Sequence, residues 1–266
     1  MNKSQYIILI FSIITVGVIF LLPKVVVSDD ENLLDTSIIR EEDAHSKKIE
    51  GDKSAINIEN LLASLAVKST RKDSLLLITD LVDRYQNNNH YDSAAYLAEY
   101  FVNNQLDYLI LAAETYYDAY TFAVKADRVS FFSEKAQIYL KEALELDDTL
   151  FDIKVKLGMT YVNSSNPMQG ILMMREVLEV SPDNELALFS LGVLSMQSGQ
   201  YEKAITRFEK LRRVTVDDSQ AVFYLGICYK ELNQIDKAKE LFQYIIDNSE
   251  DEEVKNTVKP YLNDLM

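Results

Sequence analysis

The residues able to do chemistry in this chain are few and scattered. There are two histidines, His45 and His90, and one cysteine, Cys228. Acyl transfer, hydrolysis or metal catalysis needs a nucleophile, a base and an orienting group brought together. Neither histidine has a motif partner, and the sequence contains no His-Glu-x-x-His, no Gly-x-Ser-x-Gly and no glycine-rich phosphate loop. A single cysteine can neither close an intramolecular disulfide nor build a zinc cluster. Cys228 sits in the run Tyr224-Leu225-Gly226-Ile227-Cys228-Tyr229, where a small apolar side chain buried on a helix is the natural reading. The carboxylate pairs Asp147-Asp148 and Asp217-Asp218 read as helix caps rather than as acid–base partners. The run Glu250-Asp251-Glu252-Glu253 reads as the acidic N-terminus of a helix, with loose Ca²⁺ attraction as the alternative. No catalytic residue, cofactor site or metal site is assigned, which leaves binding as the chemistry on offer.

The elements that must carry a binding surface are set by a repeat. Gly158, Gly192 and Gly226 stand 34 residues apart, each preceded by leucine: Leu157, Leu191 and Leu225. Tyr161, Ser195 and Tyr229 follow three residues later, then Gly170, Ala204 and Ala238, then Met174, Phe208 and Phe242, all on the same step of 34. A fixed period of this length marks an array of helix pairs in which each unit buries its apolar face on the next. Turn residues divide the stretch into helices at 151–162, 168–180, 185–197, 201–213, 219–232 and 235–247, with a last helix at 252–265. Pro167 suits a first helical turn, and Gly199 supplies the conformation that ends a first helix. Two helices crossing closely leave room only for small residues at the glycine and alanine positions, while the large residue four places on fills the space toward the next pair.

These residues carry a resemblance to the tetratricopeptide repeat (TPR) family. The pattern is clearest in Leu188-x-x-Leu191-Gly192-x-x-Ser195 followed by Gly199-x-Tyr201-x-x-Ala204-x-x-x-Phe208. Leu188 stands where the family often has tryptophan, and Ser195 replaces its usual tyrosine. The next unit keeps Leu225, Gly226, Tyr229, Ala238 and Phe242; the preceding one keeps Leu157, Gly158, Tyr161 and Pro182 but has Gly170 and Met174 in the second helix. The resemblance implies an all-α, right-handed α-solenoid of helix-turn-helix repeats. Upstream the register loosens. Helices are expected at 55–67, 75–85, 106–125 and 135–146, and the second-helix alanines Ala94 and Ala136 lie 42 residues apart, so an insertion separates them.

The composition limits the partners. With 42 acidic and 27 basic residues the net charge is −15. Phosphate backbones and anionic lipid surfaces repel such a chain, which argues against nucleic acid as a ligand. Residues 6–22 carry no charge; at about 1.5 Å per helical residue they span close to the roughly 30 Å of a bilayer core. No small-residue cleavage site and no lipid-accepting cysteine follows, so 6–27 is read as an uncleaved signal anchor, with 1–5 inside. The expected order is then a flexible acidic tether at 28–54, irregular TPR-like helices at 55–150, three regular units at 151–250 and a capping helix at 251–266. The localisation expected is a single pass through the inner membrane of a bacterial envelope with the folded part in the periplasm.

In TPR arrays the first helices line the concave face. By register, the groove positions are Val155, Met159, Val162 and Asn163; Phe189, Val193, Met196 and Gln197; Phe223, Ile227, Lys230 and Glu231. The family's carboxylate-clamping mode needs cations at such places, and here most are apolar, so an amphipathic or apolar helix is the better occupant. The alternative is that Phe189, Phe223 and Met196 are core, or touch a helix of the same chain. Alanine at Phe189 and Phe223 is accordingly expected to weaken partner capture and spare the fold. The function expected is a non-catalytic, membrane-anchored protein scaffold. The alternatives are a self-associating homo-oligomeric assembly subunit and an accessory factor of an envelope enzyme or cytochrome-maturation system.

Overall fold

The computed structural model describes residues 71–265 except Asp217. The anchor, the tether and the helix expected at 55–67 lie outside the described residues. Eleven α-helices are described: α1 (Arg71–Asn87), α2 (Tyr91–Tyr100), α3 (Leu106–Phe122), α4 (Ala126–Leu146), α5 (Phe151–Val162), α6 (Pro167–Val180), α7 (Glu185–Gln197), α8 (Tyr201–Val214), α9 (Ser219–Glu231), α10 (Ile235–Asn248) and α11 (Glu252–Asn263). There is no strand among the described residues. No helix among them is long and apolar enough to cross a membrane. They fall into two compact units divided after Asp147, 71–147 and 148–265.

Residues 148–265 are three helix pairs, α5/α6, α7/α8 and α9/α10, closed by α11. The glycines mark where each pair crosses. In α5/α6 a Cβ on Gly170 would lie 2.1 Å from the Gly158 carbonyl oxygen, and one on Gly158 would lie 2.9 Å from that of Gly170. These two backbones touch. The other two pairs solve the crossing differently: a Cβ on Gly192 would meet Phe208 Cε1 at 2.6 Å, and one on Gly226 would meet Phe242 Cε1 at 2.5 Å. The large residue of the second helix therefore covers the glycine of its own pair. Phe208 also faces the next pair, stacking on Tyr224 with centroids 5.3 Å apart. Where the ring is replaced by Met174, the helices close the gap by backbone contact, which only a glycine at position 170 permits. The combination Gly170 with Met174 is thus one steric solution, and Ala204 with Phe208 or Ala238 with Phe242 is the other.

The turns repeat as faithfully as the cores. Gly199 and Asn233, one period apart, have φ of +72° and +58°, and Asn89 between α1 and α2 has +67°. Glycine and asparagine tolerate this left-handed conformation better than other residues. The same hydrogen bonds close all three turns: Gly199 N to Met196 O at 2.9 Å and Gln200 N to Ser195 O at 2.7 Å; Asn233 N to Lys230 O and Gln234 N to Tyr229 O; Asn89 N to Gln86 O and His90 N to Tyr85 O. Pro167 takes the first turn of α6, and Asn184 caps α7 by accepting from Ala187 N at 2.8 Å. Asp218 corrects the capping expectation. It occupies the N-cap position of α9, but its side chain makes no cap; Oδ2 instead accepts from Arg212 Nε at 2.8 Å, because a charge-assisted bond outweighs a neutral one. Helix α5 likewise starts from Leu150 rather than from an aspartate, and Asp147 stands at the end of α4.

Residues 71–147 pack four helices. Ala94 and Ala98 of α2 and Ala112 of α3 are buried beside Ile78, Val82 and Tyr108, so short side chains let these helices approach. The eight residues beyond one period form no loop. They lengthen α3 and α4 to 17 and 21 residues, so the helices expected at 106–125 and 135–146 run Leu106–Phe122 and Ala126–Leu146.

Gly192→Ala should destabilise 148–265 by about 1–3 kcal/mol, since the methyl group overpacks against the Phe208 ring. Gly199→Ala meets open space and should cost only the left-handed backbone penalty, about 1 kcal/mol. Urea unfolding of the two variants beside the parent checks the order; equal midpoints for both would overturn the steric account.

Candidate functional site

The first helices α5, α7 and α9 bring the predicted groove residues to one register, and their burial is uneven. Asn163 and Gln197 are exposed; Met159, Phe189, Val193, Met196, Phe223, Ile227 and Lys230 are half-buried. Val155 is fully buried and belongs to the core. Met159 packs on the cluster of Val155, Met174, Val177, Ala187 and Leu191. Phe189, Val193 and Met196 pack on the cluster around Phe208 and Leu225.

The two phenylalanines are tied in on several sides. Phe189 meets Tyr224 edge-on at 5.3 Å and Phe208 at 6.3 Å. Phe223 meets Tyr261 of α11 edge-on at 5.1 Å and Phe242 at 6.0 Å. Helix α11 takes the position a further first helix would take, and it covers the third unit's share of the groove. Lys230 is drawn into this contact, with Nζ 2.5 Å from Asp264 Oδ2. The one groove cation is thus neutralised, which removes it as a partner for a ligand carboxylate. The opposite face of α11 presents Glu252, Glu253, Asn256, Lys259 and Asn263 to solvent, a polar surface of the kind that ends a stack.

The residues with catalytic potential stay apart. His90 is exposed at the start of α2 with its ring 6.4 Å from that of Tyr85. Cys228 is buried, and burial together with the Glu231 charge pushes its thiol up to about 12, so it stays protonated. No group of three or more His, Cys, Asp or Glu able to hold a metal occurs among the described residues. A shallow depression of about 440 Å³ lies over α6, lined by Asn166, Met168, Gln169, Leu172, Met173 and Glu176. Its one carboxylate, Glu176, is held by Lys154 Nζ at 2.8 Å.

A polar cluster in 71–147 is invisible to sequence reasoning, because its members come from three helices with no motif spacing. Glu99 of α2 receives Lys135 Nζ at 2.6 Å and Tyr139 OH at 2.6 Å on Oε1, and the fully buried Tyr116 donates its hydroxyl to Oε2. The Tyr116 and Tyr139 rings stack at 5.6 Å. Burial alone would raise the Glu99 pKa, but the three hydrogen bonds and the Lys135 charge outweigh it, so the carboxyl lies below its ordinary 4.5. Every acceptor site in use already has a protein donor, so the cluster fastens α2 to α3 and α4.

Alanine at Phe189 or Phe223 should cost about 3–5 kcal/mol in thermal unfolding, by removing a ring wedged between two units; this revises the expectation that the fold would be spared. Glu99→Gln should cost about 2 kcal/mol at neutral pH. A depressed folded-state pKa gives stability that is present above the unfolded value of 4.5 and lost as pH falls through the folded one. The parent and Glu99→Gln unfolding midpoints should therefore converge below pH 4.5 and stay apart at pH 7; a pH-independent gap would show that shape, not charge, matters there.

Known proteins share this geometry. Residues 155–206 and 220–251 each match a tetratricopeptide repeat family. No curated protein matches the sequence. A tetratricopeptide repeat protein from Parabacteroides merdae has the same fold over 84% of this chain and 86% of its own, with 16% identity and a TM-score of 0.56. A thermophilic TPR protein of Thermus thermophilus aligns over 72% of this chain and 98% of its own, with 12% identity and a TM-score of 0.55. These likenesses are of fold, an α-solenoid of helix pairs. With two family matches on the stretch where glycine, alanine and aromatic recur every 34 residues, the chain carries tetratricopeptide repeats at 155–206 and 220–251.

Proposed function

We propose that this protein is a non-catalytic scaffold that holds other proteins on the first-helix face of 148–265. The observation that carries the reading is that the first helices hold the half-buried apolar residues Met159, Val193 and Met196 together with the exposed amides Asn163 and Gln197. An apolar strip with a polar rim suits an amphipathic helix, whose apolar face finds a surface and whose flanks find hydrogen bonds. Met159 and Met196, half-buried on the first helices, give this region side chains that adapt to a partner's shape. The third unit is the less available part, since α11 lies on Phe223 and takes Lys230.

The scaffold is tethered, in this reading, by the uncharged segment at 6–22 and its extension to 27, with the repeats on the periplasmic side of an inner membrane and the acidic residues of 28–54 as spacer. An anchored array needs no enzyme activity to act, since it raises the local concentration of what it holds. The polar outer face of α11 counts against end-to-end self-association at that end.

The test uses Met196→Glu with Met159→Glu, which place charge in the row while leaving Phe189 and Phe223 in the core. Partners co-purified from solubilised membranes with the parent chain should be lost with this variant at unchanged helical circular dichroism. Capture that is indifferent to both charges would overturn the groove as the binding face. Reporter fusions active on only one side of the membrane, placed after residue 54 and after residue 265, read the orientation; activity on the cytoplasmic side would overturn the periplasmic placement.

A further inference from the structure

Apolar side chains break the surface at the turn between α3 and α4: Phe122 at 42% exposed, Val124 at 74%, and Phe131 one turn into α4. A single exposed valine or phenylalanine is ordinary, but these belong to a connected patch. The Phe122 ring stacks on Tyr91 at the start of α2, with centroids 4.1 Å apart. Phe131 lies beside Tyr96 of α2 at 6.4 Å and edge-on to Phe132 at 5.4 Å. Arg128 Nη2 holds Asp92 Oδ2 at 2.7 Å, which ties the start of α4 to the start of α2. Its guanidinium lies over the Phe132 ring at 4.7 Å. In α4 the stripe Phe132, Ala136, Leu140 and Ala143 faces the core, and Phe131 falls outside it. One end of α2, α3 and α4 therefore carries an aromatic surface with a valine at its tip.

The charges at this end nearly cancel. Lys125 and Arg128 stand against Asp92, Asp118 and Asp127, with Asp92 bonded to Arg128 and Asp118 receiving Gln86 Nε2 at 2.9 Å. The chain as a whole carries −15, so an anionic surface is repelled by most of the molecule and least by this end. A partner helix needs a groove to lie in, whereas Val124 projects. A projecting apolar tip ringed by aromatics, with a lysine beside it, suits the headgroup layer of a zwitterionic bilayer. The sequence also sets the distance. The uncharged segment 6–22 precedes α1 with residues 23–70 between them. A spacer of that length has a root-mean-square reach of about 40 Å. The 21-residue α4 is roughly 32 Å long, so this end reaches the bilayer once 6–22 is inserted. A surface held that close is engaged even at weak affinity.

We propose that the α3–α4 turn, with Tyr91, Phe122, Val124 and Phe131, docks into the headgroup layer of a zwitterionic bilayer, the same membrane that holds 6–27. The choice of lipid as the occupant rests on the anchoring given under the proposed function. Docking fixes which end of 71–147 faces the membrane, and it leaves the first-helix residues of 148–265 out of the contact.

The chain contains no tryptophan, so one introduced by substitution is the sole indole. Full-length Val124→Trp, Phe122→Trp and Leu146→Trp are reconstituted into phosphatidylcholine vesicles with and without brominated acyl chains. Leu146 is exposed at the far end of α4, about 30 Å from its start. Emission from Val124→Trp and Phe122→Trp should shift to the blue and be quenched by bromine, whereas Leu146→Trp should respond to neither. Adding Val124→Asp to Phe122→Trp should abolish the quenching at unchanged helical circular dichroism. Vesicle flotation separates the docking from the anchor. A chain that floats with an unquenched indole at 124 overturns the docking and leaves the anchor standing. Flotation lost on Val124→Asp keeps the docking and removes the anchor, and a parent that does not float overturns both. A blue shift without quenching assigns the patch to protein, a second copy included, and overturns the lipid assignment. Equal quenching at 146 overturns it too.

Discussion

Each helix pair in 148–265 is held by a contact that leaves no space for one methyl group. A Cβ at Gly158, Gly170, Gly192 or Gly226 would come within 3 Å of a carbonyl oxygen or an aromatic ring. At such separations repulsion rises steeply, so the crossing of the two helices is fixed by the absence of a side chain on one and the presence of a ring, or of bare backbone, on the other. The crossing then fixes what stacks outside it. Phe208 lies over Gly192 and, because it cannot sink further, offers its other face to Tyr224 of the next pair. One contact thus joins two helices and sets the seat for a third. The row of first-helix residues, the bond from Arg207 to Ser195 and the docking of α11 on Phe223 all depend on that spacing.

The two units keep their helices together by different means. In 148–265 the interfaces are apolar and periodic, and their ion pairs lie at the margin. In 71–147 alanine lets α2 and α3 approach, while Glu99 draws a lysine and two tyrosines from α3 and α4 onto one carboxylate. A satisfied polar cluster of this kind specifies a single arrangement, since any shift leaves a buried donor or acceptor unpaired. An apolar interface is more forgiving. This difference accounts for the loss of sequence period toward the N-terminus: a carboxylate with three donors has no need of a repeating motif. Helices of 17 and 21 residues then replace the 12 to 14 of the regular units.

Function in such a molecule resides in departures from the period. The residues that recur at 34-residue intervals hold the fold; those that fail to recur mark where one unit differs from the next. Ser195 with Arg175 and Arg207 is one such departure, and Lys230 with Asp264 is another. In the first, Arg207 donates to Ser195 Oγ where the third unit packs Leu241 beside Tyr229. The second compensates charge and closes a face.

The helix pairs, their order and their turns are legible in the amino-acid string. Leucine, glycine, alanine and aromatic recur at positions where a helical pair admits little else, and Gly199 and Asn233 stop helices where a left-handed residue is needed. Helices 151–162 and 185–197 can be read to the residue because local signals and packing agree there. What each apolar residue is for emerges only when the units pack. Phe189 and Phe223 read as groove residues in the sequence, yet Phe189 is wedged against Phe208 and Tyr224, and Phe223 lies against Tyr261. Which apolar side chains remain available depends on contacts between helix pairs and on where α11 settles, and neither leaves a mark in any single helix. The same holds for Asp218, whose place suggests a cap and whose bond is to Arg212. Period is a property of the chain, whereas exposure and charge balance are properties of neighbours.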